Sequence, residues 1–171
     1  MLTLPDGRTL YFSPADQAKA ALLAMIGAAE HRIAIMIYSF TLADLTTLLI
    51  AKHQAGVDVR MILDSSQDQS TPMGQLMAIE EAELGGSPEA AQVARLKSAG
   101  VPLVIGKSAD GQIIHSKAAT VDNTRTFWGS LNFSLSAPLQ CNVSCIEVDP
   151  AVIAAFEADF IANWTRLGGA A

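Results

Sequence analysis

The residues best suited to chemistry lie in the run Ile113-Ile114-His115-Ser116-Lys117-Ala118-Ala119-Thr120-Val121-Asp122. If this run is a strand, side chains repeat every two residues, so His115 and Lys117 project side by side. Ile114, Ser116 and Ala118 then face the other way. An imidazole beside an ammonium makes an anion site. Six residues separate Asp122 from Gly129-Ser130-Leu131-Asn132. That small-residue turn carries a hydroxyl and an amide able to bind phosphate-type oxygens alongside Lys117. Neither of the other two histidines, His31 and His53, has a lysine two places on. His53 reads as a solvated residue near the end of an amphipathic helix, and His31 as a strand-entry residue.

The surrounding pattern supplies the elements that must hold these groups. Residues 2–12 read as a hairpin turning at Pro5-Asp6-Gly7. Ser13-Pro14-Ala15-Asp16 reads as a helix start running to about Ala29, with Ser13 as cap. Ile33 to Tyr38 is nearly all apolar, as expected of a strand covered on both faces. Thr41 is placed to cap a helix from Leu42 to Ala55 that exits at Gly56, and Val57 to Leu63 follows as a strand, completing a right-handed βαβ unit. Residues 64–100 form a helical excursion: a polar loop, a helix over Gly74 to Leu84, and a second helix from Ser87-Pro88-Glu89 to Ala99. Its acids Glu80, Glu81, Glu83 and Glu89 are expected on a solvated face, with a dimer contact as the alternative. Val101–Ile105, Ile113–Val121, Arg125–Trp128 and Asn142–Val148 read as strands, and Pro150 opens a last helix through Trp164. The expectation is a single α/β domain over 1–171, its sheet mixed, mostly parallel and flanked by helices on both faces.

The pattern His115-x-Lys117-x4-Asp122-x6-Gly129-Ser130-x-Asn132 resembles the HKD signature of the phospholipase D superfamily. Six fixed positions at about 5% usage each recur by chance at on the order of 10⁻⁸ per start site. Ile37-Tyr38-Ser39-Phe40-Thr41, Gln54-Ala55-Gly56-Val57-Asp58-Val59-Arg60, Ala99-Gly100-Val101-Pro102 and Phe160-x3-Trp164 are similar to the compact, one-motif nuclease branch. The resemblance implies metal-independent cleavage of phosphodiesters without a cofactor. A neutral histidine attacks phosphorus to give a phosphohistidine, and a second histidine protonates the leaving oxygen and later activates water. This chain has one such histidine, so the second set must come from another copy in a two-fold homodimer. By the same resemblance, His115, Lys117, Asp122 and Asn132 are the catalytic set, with Asp122 in a supporting place. Gly129, Ser130, Lys117 and Asn132 hold substrate oxygens. One departure stands out. The family's orienting carboxylate, about a dozen residues beyond the Gly-Ser turn, falls on Val143, and Glu147 would sit roughly 13 Å further along the strand.

Composition limits the classes. The chain has 171 residues, 50% hydrophobic and 16% charged, with a net charge of −6, so disorder and fibrous folds are excluded. No apolar run reaches membrane-spanning length, which requires about 18 residues or more. The N-terminus lacks a leader pattern, so the expected compartment is cytoplasmic, or periplasmic or secreted if a leader was removed. Cys141 and Cys145 read as reduced core or edge residues. Asp64 and Asp68 form no sufficient metal set. Trp128 is a wall of the core or a surface for a base or lipid. The acidity opposes generic nucleic-acid binding, although two copies of Lys117, with Lys107 and Arg125, could line a local positive groove. Three readings stay open: an endonuclease on DNA or RNA, a hydrolase of phospholipid or another phosphodiester, and a binding module without turnover.

Overall fold

The computed structural model describes residues 1–67, 75–76, 79 and 89–170. Of the helix expected over 74–84 only Gln75, Leu76 and Ile79 are described, all helical and exposed. Asp68, Glu80, Glu81 and Glu83 lie outside the described residues.

The most apolar segment becomes the centre of the molecule. Strand β3 (Arg32–Ile37) is buried on both faces from Ile33 onward. Each of its Ile and Met side chains contributes about 1.5–3 kcal/mol on leaving water, so this segment anchors whatever lies at its end. It pairs in parallel with β4 (Asp58–Asp64) and antiparallel with β6 (Lys117–Val121). Outside these lie β5 (Leu103–Gly106) on one side, and β7 (Arg125–Gly129), β8 (Asn142–Glu147), β2 (Thr9–Ser13) and β1 (Leu2–Thr3) on the other. The sheet order is β1-β2-β8-β7-β6-β3-β4-β5.

Helices cover both faces, as expected. Ile33, Ile35 and Ile37 pack with Leu22, Met25 and Ile26 of α1 (Ala18–Gly27), Leu45 and Leu49 of α2 (Ala43–Gln54) and Leu96 of α3 (Glu89–Ser98). Ala34 and Met36 face Phe160 and Trp164 of α4 (Pro150–Arg166). Asp149 caps α4, its carboxylate accepting from the Ala151 and Val152 amides. Arg32 ties α4 to the sheet by ion pairs to Glu157 and Asp58.

Four expectations change. The sheet is mixed, but parallel pairing is confined to β3–β4 and β4–β5. The second half of the sheet pairs antiparallel because its strands are joined without crossover helices. The first helix starts at Ala18, since Ser13 remains in β2, paired with Asn142. Thr41 is not the cap of α2. That position is Leu42, while the Thr41 amide donates to Phe133 O at 2.9 Å. The strand expected from Ile113 begins only at Lys117, because its ladder partner Ile37 is where β3 ends.

Candidate functional site

The site forms where β3 and β4 end and β6 begins. Ile37 is paired with Lys117, and the ladder contact continues one step further, the Tyr38 amide donating to Ser116 O at 2.9 Å. His115 therefore sits in the loop before β6 but keeps the two-residue alternation with Lys117. Both reach the same ring. The imidazole meets Tyr38 edge-on with centroids 4.9 Å apart, and the Lys117 ammonium lies 4.9 Å from the Tyr38 ring centroid.

The two groups differ in exposure. His115 is exposed while Lys117 is buried, its Nζ donating to His115 O at 2.7 Å. Partial desolvation, reinforced by the Lys117 charge and opposed by Asp64, holds the imidazole below its usual pKa, which favours the neutral form. Burial also pushes the Lys117 ammonium down to about 8, with Asp64 opposing. An uncharged imidazole at the surface backed by a cation is the arrangement a nucleophile for an anionic ester needs.

Two carboxylates enter the site that sequence reasoning had placed elsewhere. Asp64, 1% exposed at the end of β4, accepts from the Ile114 amide with one oxygen and from the Ser66 amide and hydroxyl with the other. Glu89, expected on a solvated face, is buried at the start of α3, where its Oε2 accepts from the Phe40 amide at 2.8 Å. Burial, with Asp64's charge adding to it, raises Glu89 to about 8 against that hydrogen bond, so it is protonated at neutral pH. No local signal in the sequence marks either residue. Both are polar letters in a polar stretch, and only the packing of α3 against the strand ends buries them.

The Gly129-Ser130-Leu131-Asn132 turn is brought to the same end of the sheet. Phe133 and Phe40 form a bridge, the Phe133 amide donating to Ser39 O, which sets Asn132 beside the loop that carries Tyr38. Asn132 Oδ1 is enclosed and has no hydrogen-bond partner among the described residues. Gly129 is required by a close approach. At φ +152°, an added Cβ would fall 2.2 Å from Val143 O. The Ser130 hydroxyl is engaged within the fold, donating to Asn142 Oδ1 at 2.9 Å and accepting from the Val143 amide at 3.1 Å.

Asp122 is not brought to the site. It lies beyond the opposite end of β6, where its carboxylate accepts from the amides of Glu30, His31 and Arg32 at 2.7–2.8 Å. Burial alone would raise its carboxyl, but these three donors hold it below the usual range. Its role is to fix the entry of β3 against the tight Asp122-Asn123 turn, both residues of which have positive φ. Arg125 lies at that same distant end, paired with Val121, whereas Lys107 follows β5 at the site's end. Val143 is 49% exposed at the position where the resemblance expects an orienting carboxylate, and Glu147 is turned to the Val148 and Asp149 amides. Trp128 is partly exposed and packs on Phe156 of α4 at 6.0 Å.

Known proteins share this framework. The family model described as "Cardiolipin synthase, PLD-like domain" matches residues 22–164. The chain is similar to the mitochondrial cardiolipin hydrolase of Xenopus tropicalis, 27% identical over 151 residues, covering 87% of this chain and 62% of that protein. It is also similar to the Danio rerio protein of the same name, 26% identical over 145 residues, 84% of this chain and 55% of that one. The chain thus spans about three-fifths of the length of these relatives. Among solved structures it is similar to Nuc of Salmonella typhimurium, a phospholipase D family member, at TM-score 0.76 and 24% identity, covering 96% and 97% of the two chains. NucT from Helicobacter pylori follows at TM-score 0.68 and 21% identity, covering 91% and 93%. With the family model matched across residues 22–164 and the open sheet bringing His115 and Lys117 together at its strand ends, the chain belongs to the phospholipase D superfamily as a PLD-like domain.

Proposed function

We propose that this protein is a metal-independent phosphodiesterase, an endonuclease on DNA or RNA, working through a phosphohistidine at His115. The observation that carries the reading is the exposed imidazole held against Tyr38 beside the buried Lys117 ammonium. His115 attacks phosphorus and forms the P–N bond as the bond to the leaving oxygen breaks. The leaving oxygen takes its proton from the His115 of a second copy, which enters the step protonated; now neutral, it draws a proton from water as that water attacks phosphorus and the P–N bond breaks. Lys117 and Asn132 of both copies hold the non-bridging oxygens, where charge develops in the transition state. Such a site requires a two-fold homodimer.

Cleavage of single-stranded DNA or RNA that persists in EDTA, disappears in His115→Ala and yields an acid-labile phosphoprotein supports the reading. Cleavage that depends on added divalent metal, or that survives His115→Ala, refutes it. A strictly monomeric, fully active protein refutes the shared site.

A second reading, hydrolysis of a phospholipid, is favoured by one further observation. Leu2, Phe12, Trp128 and Val143 are exposed on one face of the β1-β2-β8-β7 half of the sheet, beside Ser130. The named activity of the cardiolipin hydrolase relatives points the same way. Product analysis on cardiolipin vesicles run beside single-stranded DNA separates the two substrates. Affinity for either without turnover would mark a binding module.

A further inference from the structure

The exposed imidazole sits on a loop, and a nucleophile on a loop needs something to hold it. Of the groups around it, Lys117 faces it from β6, Tyr38 from the residue after β3, and Asp64 from the end of β4. Glu89, from α3, faces Asp64 in turn. Asp64 is nearly fully buried and accepts from the amide of Ile114, the residue immediately before His115. Its other oxygen is fixed by Ser66, so the carboxylate cannot swing away without losing those bonds.

Burying an ionised carboxylate is costly unless it is hydrogen-bonded and near positive charge. Asp64 has the hydrogen bonds, and Lys117 is the cation whose charge it acts on through space. We propose that Asp64 is a positioning residue of this site, holding the His115 loop through Ile114 and supplying the counter-charge for both His115 and Lys117. The proposal rests on the reading of His115 as the nucleophile. Asp64 reaches His115 through the backbone and through space from β4, on the far side of β3 from β6, and no carboxylate stands at position 143 to share the task. Its charge raises both cationic groups against the burial that lowers them, which keeps Lys117 charged at neutral pH.

The test is Asp64→Asn, which keeps an acceptor for the Ile114 amide but removes the charge, read beside Asp64→Glu, which keeps the charge. The first readout is the NMR titration of the His115 ring protons in the whole protein, assigned by their loss in His115→Gln. The midpoint is expected to fall by about one pH unit in Asp64→Asn, the size of a single opposite charge nearby, and to stay at the wild-type value in Asp64→Glu. The second readout is cleavage, with kcat expected to fall about tenfold or more in Asp64→Asn, and to recover partly in Asp64→Glu. A folded Asp64→Asn protein with an unmoved midpoint and wild-type kcat overturns the proposal. If the amide variant does not fold, Asp64→Glu decides: its carboxylate is displaced by one methylene, so kcat falls at unchanged melting temperature, and an unchanged kcat overturns the proposal. The titration needs no substrate. Failure of the nuclease reading leaves the midpoint shift in place with no His115-dependent cleavage, whereas failure of the present proposal leaves that cleavage with no shift.

Discussion

Glu89 offers a quantitative check on the buried carboxylates. Its carboxyl is raised from 4.5 to about 8, first by burial and then by Asp64, against the hydrogen bond from Phe40. In the unfolded chain it ionises near 4.5. The folded protein therefore binds more protons than the unfolded one between pH 4.5 and 8, and stability falls as pH rises through that window. Each unit is worth about 1.36 kcal/mol, so the 2.5 units between 4.5 and pH 7 correspond to about 3 kcal/mol. Glu89→Gln keeps an acceptor for the Phe40 amide and cannot ionise, so it removes this loss. The variant should match the wild type near pH 4.5 and exceed it by about 3 kcal/mol at pH 7, a gain of about 6–12 °C in a chain of this size. The difference should grow to about 5 kcal/mol above pH 8, once the folded-state carboxyl ionises. Urea unfolding of both proteins at pH 5, 7 and 8.5, followed by circular dichroism, measures the difference directly. A gap that does not widen with pH, or a variant less stable than wild type at pH 7, would show that Glu89 is ionised or solvated and refute the reasoning.

Asp122→Ala should destabilise the fold by about 2–4 kcal/mol through loss of three backbone hydrogen bonds, while kcat of the folded fraction stays at the wild-type value. Because its folded pKa is depressed, the Asp122 contribution is present above the ordinary carboxylate range and lost as pH falls below about 4, which acid unfolding of both proteins measures. Gly129→Ala places a methyl group 2.2 Å from Val143 O and should cost about 3 kcal/mol or more, read as a lower melting temperature. Cleavage should be bell-shaped in pH, rising on the acid side as one His115 becomes neutral to attack and falling on the alkaline side as the partner copy's His115 and then Lys117, near pH 8, lose the protons they need, so a rate still climbing at pH 9.5 would contradict the assigned roles.

Much of the site was legible because it is local. His115 and Lys117 share a side through a two-residue spacing that survives even though the strand begins later than its apolar pattern suggests. Gly129 was legible as part of the small-residue turn, and the reason it cannot carry a side chain is the approach of β8. Asp122 fits the same motif, yet it serves the far end of the sheet. A five-residue strand carries it away from the site, and three amides near position 31 claim its carboxylate.

By itself the sequence determined the central βαβ unit, helices on both faces, and the spacing that sets an imidazole beside an ammonium, because periodicity and turn chemistry act within a few residues. The tertiary structure alone decided which acids are buried near that pair. Asp64 and Ile114 are fifty residues apart, and Glu89 and Phe40 forty-nine, so no local pattern connects them. Whether a carboxylate is a solvated surface charge or a buried partner depends on where its strand ends and what packs over it. In this chain the strand ends beneath His115 and Lys117, and burial there changes what the carboxylates do.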